Sequence, residues 1–165
     1  MRIKKNKSRS TSDAVAINRK RLLNNETPFA IKEAYVKLRT NLMFCMTADK
    51  ERPCKVFGIT SAKPSEGKSL TAANIAISYA MLGKKTLLID ADMRKPTQRR
   101  LWKADVTAGI CDFLARIRPL EIMKVEKLPL SVICTGTIPP NPSELLSSDR
   151  MKQFVEECAK HYDYV

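Results

Sequence analysis

Gly58-Ile-Thr-Ser-Ala-Lys-Pro-Ser-Glu-Gly-Lys-Ser-Leu70 contains Ala62-x-x-x-x-Gly67-Lys68-Ser69, the spacing of a phosphate-binding P-loop. The pattern has a physical logic. A loop leaving a buried strand wraps an anion with its backbone N–H groups, and the following helix offers its unpaired N–H groups and positive dipole end. Gly67 lets the backbone approach the phosphates, Lys68 reaches the terminal ones, and the Ser69 hydroxyl is a Mg2+ ligand. Pro64, Ser65, Glu66, Gly67, Lys68, Ser69 and Leu70 are thus the candidate nucleotide-binding run. The plain alternative is a solvated surface loop of Ser, Gly and Lys.

The flanks support the first reading. Val56-Phe-Gly-Ile-Thr60 is a short apolar run that predicts a strand. Leu70 to Leu82 is apolar almost all round, as a helix buried against a sheet should be, and Gly83 supplies its stop. Thr86-Leu-Leu-Ile-Asp90 then reads as a second strand, apolar without alternation and so covered on both faces of a parallel sheet. The helix carries the chain back along the sheet and this strand returns it, so Asp90 and Asp92 are expected at the same edge as the phosphate loop. Two carboxylates there are hard oxygen ligands for a phosphate-bound Mg2+. Arg94 adds a positive charge nearby; Asp92 taken alone reads equally as an acidic turn at a strand end.

Composition narrows the class. With 165 residues and 44% hydrophobic content, one domain with a real core is expected. No apolar run approaches a membrane span, and the basic N-terminus is not followed by an apolar signal core, which predicts a cytoplasmic protein. Five scattered cysteines, Cys45, Cys54, Cys111, Cys134 and Cys158, with a single histidine indicate reduced core thiols rather than zinc or disulfides. The net charge of +13 is not evenly spread: in the arm, residues 1–26, Arg2, Lys4, Lys5, Lys7, Arg9, Arg19, Lys20 and Arg21 crowd the first 21 residues against a single acid, Asp13. A solvated, disordered extension is the expectation, with an anionic membrane surface as its candidate contact. Without interleaved aromatics it carries no signal for reading bases, so nucleic acid is not expected as a partner.

The remaining elements follow in order. Thr27-Pro28 opens a helix, threonine as cap and proline at its first position, with an apolar stripe of Ile31, Ala34, Tyr35, Leu38, Leu42 and Cys45. Glu33 and Lys37 form a ready intrahelical ion pair. A short helix lies within Asp105 to Arg116, and Leu130-Ser-Val-Ile-Cys134 is a third strand. In Gly136-Thr-Ile-Pro-Pro-Asn-Pro-Ser-Glu-Leu-Leu146, Asn141 is the expected cap of a helix, with Pro142 first and Glu144 reaching back. Ser148 to Lys160 is a last amphipathic helix with Met151, Phe154, Val155 and Cys158 inward, and Tyr162-Asp-Tyr-Val165 begins another strand.

Residues 27–165 so arranged resemble the bacterial tyrosine kinases (BY-kinases) of capsular and exopolysaccharide synthesis, within the deviant P-loop group that includes ParA and MinD. The resemblance rests on Glu33-Ala-Tyr-Val-Lys-Leu-Arg-Thr-Asn41, Thr60 to Ser69, Leu88-Ile-Asp-Ala-Asp-Met-Arg-Lys-Pro96 and Gly136 to Leu146. It implies an α/β P-loop NTPase fold, a mostly parallel sheet flanked by helices, incomplete at the C-terminus. It also implies ATP and Mg2+ as cofactors. Lys68 and Ser69 would bind the nucleotide and cation, while Asp90 and Asp92 would hold Mg2+ and accept the proton of an attacking tyrosine; Lys68, Asp90 and Asp92 are the implied catalytic set, and Ser69, Asp90 and Asp92 the metal set. The implied partners are a transmembrane activator or chain-length regulator, which would hold the kinase at the inner face of the membrane, and further copies of the chain through Glu33 and Arg39. Val36 stands where the family's oligomerisation motif has an arginine. Such kinases continue into a third acidic motif and a tyrosine cluster, neither of which is in the sequence, so a truncated or partial chain is expected, with an opened hydrophobic edge, weak nucleotide binding and poor phosphoryl transfer. Two alternatives compete: a ParA or MinD type partitioning ATPase, favoured by Lys63 and the basic arm, and a shortened non-catalytic paralogue.

Overall fold

The computed structural model describes residues 21–46 and 53–165. Residues 1–20 of the basic arm, and most of the connection from Thr47 to Pro53, lie outside the described residues. The elements run α1 (Phe29–Met46), α2 (Lys68–Ala80), β1 (Thr86–Ile89), α3 (Gln98–Trp102), α4 (Ile110–Leu114), β2 (Met123–Lys124), β3 (Leu130–Ile133), α5 (Pro142–Ser147) and α6 (Asp149–Cys158).

The unbroken apolar runs of β1 and β3 make a sheet buried on both sides. β1 pairs in parallel with β3, Thr86 opposite Leu130 and Ile89 opposite Ile133, and β2 adds an antiparallel edge. Leu88 and Val132 face one core with Ala73, Ala76, Ile77 and Ala80 of α2, while Leu87 and Ile133 face a second core with Ile110, Leu114 and Cys158. Neighbouring side chains on each strand thus serve opposite layers, which is why no alternation is visible in the sequence.

On the other flank of β1, Tyr164 bridges in parallel to both Thr86 and Lys55. The Leu87 N–H donates to Tyr164 O at 2.8 Å, Lys55 N–H to Asp163 O at 2.9 Å, Val165 N–H to Lys55 O at 2.9 Å, and Phe57 N–H to Val165 O at 3.1 Å. The segment Asp163–Val165 therefore lies between the chain leading to the P-loop and β1. The strand expected over Val56–Thr60 is not formed: the pairing there is a single bridge at Lys55 with a further bond from the Phe57 N–H to Val165 O.

The N-terminal region differs more. The sequence assigns residues 21–26 to a free arm, yet Leu23 is buried against α2, its N–H donates to Asn74 Oδ1 at 2.9 Å, and Asn74 Nδ2 donates to Arg21 O at 3.1 Å. Thr27 does not cap α1, because its hydroxyl accepts from the Asn24 N–H at 2.9 Å; the Pro28 carbonyl takes the first helical bonds instead. The apolar stripe of α1 is not a core face. No residue of this helix is buried, and Phe29 (78% exposed), Phe44 (71%) and Ile31 (46%) stand in solvent. Only Tyr35 of the stripe packs at the margin of the core.

Four of the five cysteines are buried free thiols as expected, while Cys45 is exposed. Burial pushes the Cys111, Cys134 and Cys158 thiols each up to about 11, so they stay protonated at neutral pH. Among the described residues no helix is long and apolar enough to cross a membrane. The docking of residues 21–23 gives a direct test: Asn74→Ala leaves the buried Leu23 N–H without a partner and should cost about 1–3 kcal/mol in urea unfolding, whereas an unchanged midpoint would show that the contact adds nothing.

Candidate nucleotide site

The P-loop sits at the edge of the sheet, ahead of α2. Pro64 to Gly67 are exposed, and Lys68, Ser69 and Leu70 form the half-buried first turn of the helix. Gly67 precedes the helix at φ 91°, the left-handed region that a side chain disfavours, and its carbonyl accepts from the Thr71 N–H at 2.9 Å. Glu66 Oε2 accepts from the Lys63 N–H at 3.1 Å and the Ser61 hydroxyl donates to Lys63 O at 3.0 Å, which folds the loop back on itself.

The two aspartates arrive beside it. Lys68 Nζ lies 2.7 Å from Asp92 Oδ2, and Asp92 Oδ1 accepts from the Lys95 N–H at 2.9 Å. Burial alone would raise the Asp92 carboxyl; the Lys68 ammonium and the Lys95 N–H outweigh it and hold the group below its ordinary value. Asp90 is different. It is 4% exposed, Oδ2 accepts from the N–H groups of Gln98 at 2.9 Å and Thr97 at 3.1 Å, and Oδ1 from Asp92 N–H at 3.2 Å. Burial pushes its carboxyl up, against the pull of those N–H groups. The site thus has one carboxylate locked into the loop and one available beside the lysine.

Sequence reasoning brought Lys68, Ser69, Asp90 and Asp92 to one edge; three further residues support them. Gln98, 3% exposed, donates from Nε2 to the Ser69 carbonyl at 2.9 Å and accepts at Oε1 from Trp102 Nε1 at 2.9 Å. Thr135 Oγ1 donates to the Asp90 carbonyl at 2.9 Å. Asp112, fully buried, holds the adjoining loop: it accepts from Gly109 N–H at 2.9 Å, Thr137 N–H at 3.0 Å, Thr137 Oγ1 at 2.7 Å and Arg118 Nη2 at 2.8 Å. The only signal for Asp112 in the sequence is an acid three residues after a glycine, inside an apolar stretch.

Known proteins match this arrangement. No protein-family model matches the chain. The tyrosine-protein kinase YwqD of Bacillus subtilis is 40% identical over 168 residues, covering 100% of this chain and 67% of that one. The chain belongs to the bacterial tyrosine-protein kinase family. The putative tyrosine-protein kinase CapB of Staphylococcus aureus is 37% identical over 137 residues, 82% of this chain and 59% of the relative. The solved kinase domain of the Escherichia coli tyrosine kinase Etk superposes with a TM-score of 0.75 at 35% identity, covering 88% of this chain and 60% of that domain. The P-loop α/β fold expected from the sequence is therefore the family's fold, and this chain spans 59% to 67% of these two curated relatives.

One expectation for the kinase motifs needs correction. Asn141 makes no cap bond to the backbone of α5; its Nδ2 donates to Glu144 Oε2, so the glutamate reaches back to a side chain rather than to an N–H. Glu33 and Lys37 pair at 3.2 Å as expected, and Arg39 Nη1 donates to the Ser78 carbonyl at 2.7 Å within the chain.

Burial would raise the Asp112 carboxyl, yet the bonds from Thr137, Gly109 and Arg118 hold it at about 2, below the usual carboxylate value near 3.9. Because the folded value is the lower one, its contribution to stability is present above about pH 4 and is lost as pH falls toward 2. Asp112→Asn should therefore cost about 3 kcal/mol in neutral urea unfolding, and the gap to the parent chain should shrink on acidification through that window. A gap that widens toward pH 2 would refute the assignment.

Proposed function

We propose that the chain forms the nucleotide-holding part of an ATP-dependent protein-tyrosine kinase that acts in capsular or exopolysaccharide assembly. The single observation that carries this reading is the 2.7 Å contact between Lys68 and Asp92, which joins the phosphate loop to the acidic loop. In the reading, the triphosphate lies along Pro64 to Ser69, the backbone N–H groups at the start of α2 take its oxygens, and Lys68 neutralises the terminal phosphates. A phosphate entering the loop competes with Asp92 for the lysine and leaves that carboxylate for a cation.

The donor set fits Mg2+. Among the described residues there is no group of three or more His, Cys, Asp or Glu side chains able to hold an ion alone, but Mg2+ on a nucleotide keeps water and phosphate ligands and asks for only one or two protein carboxylates. Ser69 and Asp92 would hold it, with Asp90 shaping the loop. When bound it supplies charge neutralisation at the phosphates. Asp92 is the more accessible candidate proton acceptor: Asp90 is 4% exposed with both oxygens held by backbone N–H groups, whereas Asp92 Oδ2 is held by Lys68, which an incoming phosphate would draw away. A phenol that titrates near 10 is slow to give up its proton, so positioning and charge do most of the work in transfer.

Tyr79 is an unsuitable phosphate acceptor. It is fully buried, stacks on Tyr164 at 3.8 Å between ring centroids, and burial pushes its hydroxyl up to about 12. We assign the acceptor to a tyrosine outside this core. A transmembrane activator protein would bring the kinase to the inner face of the membrane, assisted by the basic arm on anionic lipid. The exposed apolar residues of α1 and Glu33 support self-association better than Arg39 does.

Titrating the chain with a fluorescent ATP analogue should reveal binding that tightens with Mg2+, and incubation with labelled ATP and a tyrosine acceptor should yield phosphotyrosine. Lys68→Met should weaken binding about tenfold and cut phosphotyrosine formation about a hundredfold or more. Binding indifferent to both Mg2+ and Lys68 would sink the proposal.

A further inference from the structure

Besides the Lys68–Asp92 pair, the two halves of the site are joined through a residue that belongs to neither the P-loop nor the acidic motif. Gln98 occupies the first position of α3, nearly sealed from water, and all its polar atoms have work. Its backbone N–H donates to Asp90 Oδ2, its Nε2 donates to the carbonyl of Ser69, and its Oε1 accepts from the indole of Trp102. The amide has one possible orientation, because a carbonyl only accepts and an indole N–H only donates. One residue thus bonds the first turn of α2 and the buried carboxylate of the acidic loop at the same time. Ser69, whose carbonyl it fixes, is the residue whose hydroxyl is proposed above to hold the cation.

We propose that Gln98 is a positioning residue for the metal-binding half of the site: its side-chain amide and backbone N–H hold Ser69 and Asp90 in one register. The inference rests on the nucleotide site proposed above. Gln98 touches neither phosphate nor cation in this scheme, and its effect is felt where Mg2+ must meet a hydroxyl from one loop and a carboxylate from the other. The substitutions separate the bonds. Gln98→Glu keeps an acceptor for Trp102 but has no donor for the Ser69 carbonyl; Gln98→Met keeps the length and loses both; Trp102→Phe removes only the indole donor.

The test compares these three variants of the full chain with the parent, each checked for folding by circular dichroism. ATP-analogue affinity is measured with Mg2+ and with EDTA, and amide hydrogen exchange over residues 68–72 and 90–92 is measured without nucleotide. Loss of one buried hydrogen bond predicts that Gln98→Glu and Gln98→Met lose about tenfold in affinity with Mg2+ while changing less than about twofold in EDTA, and that exchange in both segments rises about tenfold. Trp102→Phe should stay within about twofold of the parent on both measures, since the Ser69 bond remains. Because Trp102 is the sole tryptophan, its emission should shift in Gln98→Met and hold in Gln98→Glu. Equal losses with and without Mg2+, or Trp102→Phe matching Gln98→Met, would overturn the proposal as a general packing defect. Should the parent chain show no Mg2+-dependent binding, the nucleotide reading fails by itself, and unaltered exchange in folded Gln98→Met would then overturn the positioning role separately.

Discussion

A carboxylate walled off from water must find donors within the protein, and Asp90 finds them in the N–H groups of Asp92, Thr97 and Gln98. That demand closes residues 90–98 into a loop around its own first side chain. The loop cannot swing without stripping the carboxylate of its partners, so Asp92 is delivered to a fixed place beside Lys68. The Thr135 hydroxyl, bonded to the Asp90 carbonyl, extends the same constraint to the end of β3. The position of Asp92 is thus set by neutral N–H and O–H groups, and in the proposed nucleotide site these need not move when charge arrives.

The parts of this arrangement that were legible in the sequence are those set by local chain geometry. A P-loop spacing, a buried helix and an apolar strand ending in Asp90 place the acids at the correct edge, because strand and helix lengths determine where the chain re-emerges. Capping was less legible. Thr27 and Asn141 have the right chemistry to cap a helix, but the Thr27 hydroxyl pairs with Asn24 and the Asn141 amide with Glu144, partners of equal chemical merit a few residues away. The α1 stripe shows the limit of periodicity, which reports that a helix has an apolar face and not that anything covers it. Gln98 and Asp112 were invisible for another reason: each draws its meaning from contacts with segments far along the chain, Ser69 for one and Thr137 for the other.

Asp112 illustrates how a buried charge is made tolerable without a metal. Thr137 contributes both its hydroxyl and its N–H, Gly109 an N–H, and Arg118 the compensating charge from the rim. The approach is so close that Gly109 has no room for a side chain, since a Cβ there would meet the Cys134 carbonyl. The start of α4 and the loop after β3 are thereby joined into one rigid corner, and the Gly136 to Leu146 motif springs from it.

The short parallel segment Asp163–Val165 leaves one more consequence. Its bonds to Lys55 and Phe57 on one side and to Leu87 on the other make it a mechanical link in series between the phosphate loop's root and the rest of the sheet. Tension or wedging applied there would be passed straight to the P-loop edge, whereas α1, none of whose residues is buried, touches the body through Tyr35 and Arg39. Whatever engages Asp163–Val165 would therefore bear on the root of the P-loop.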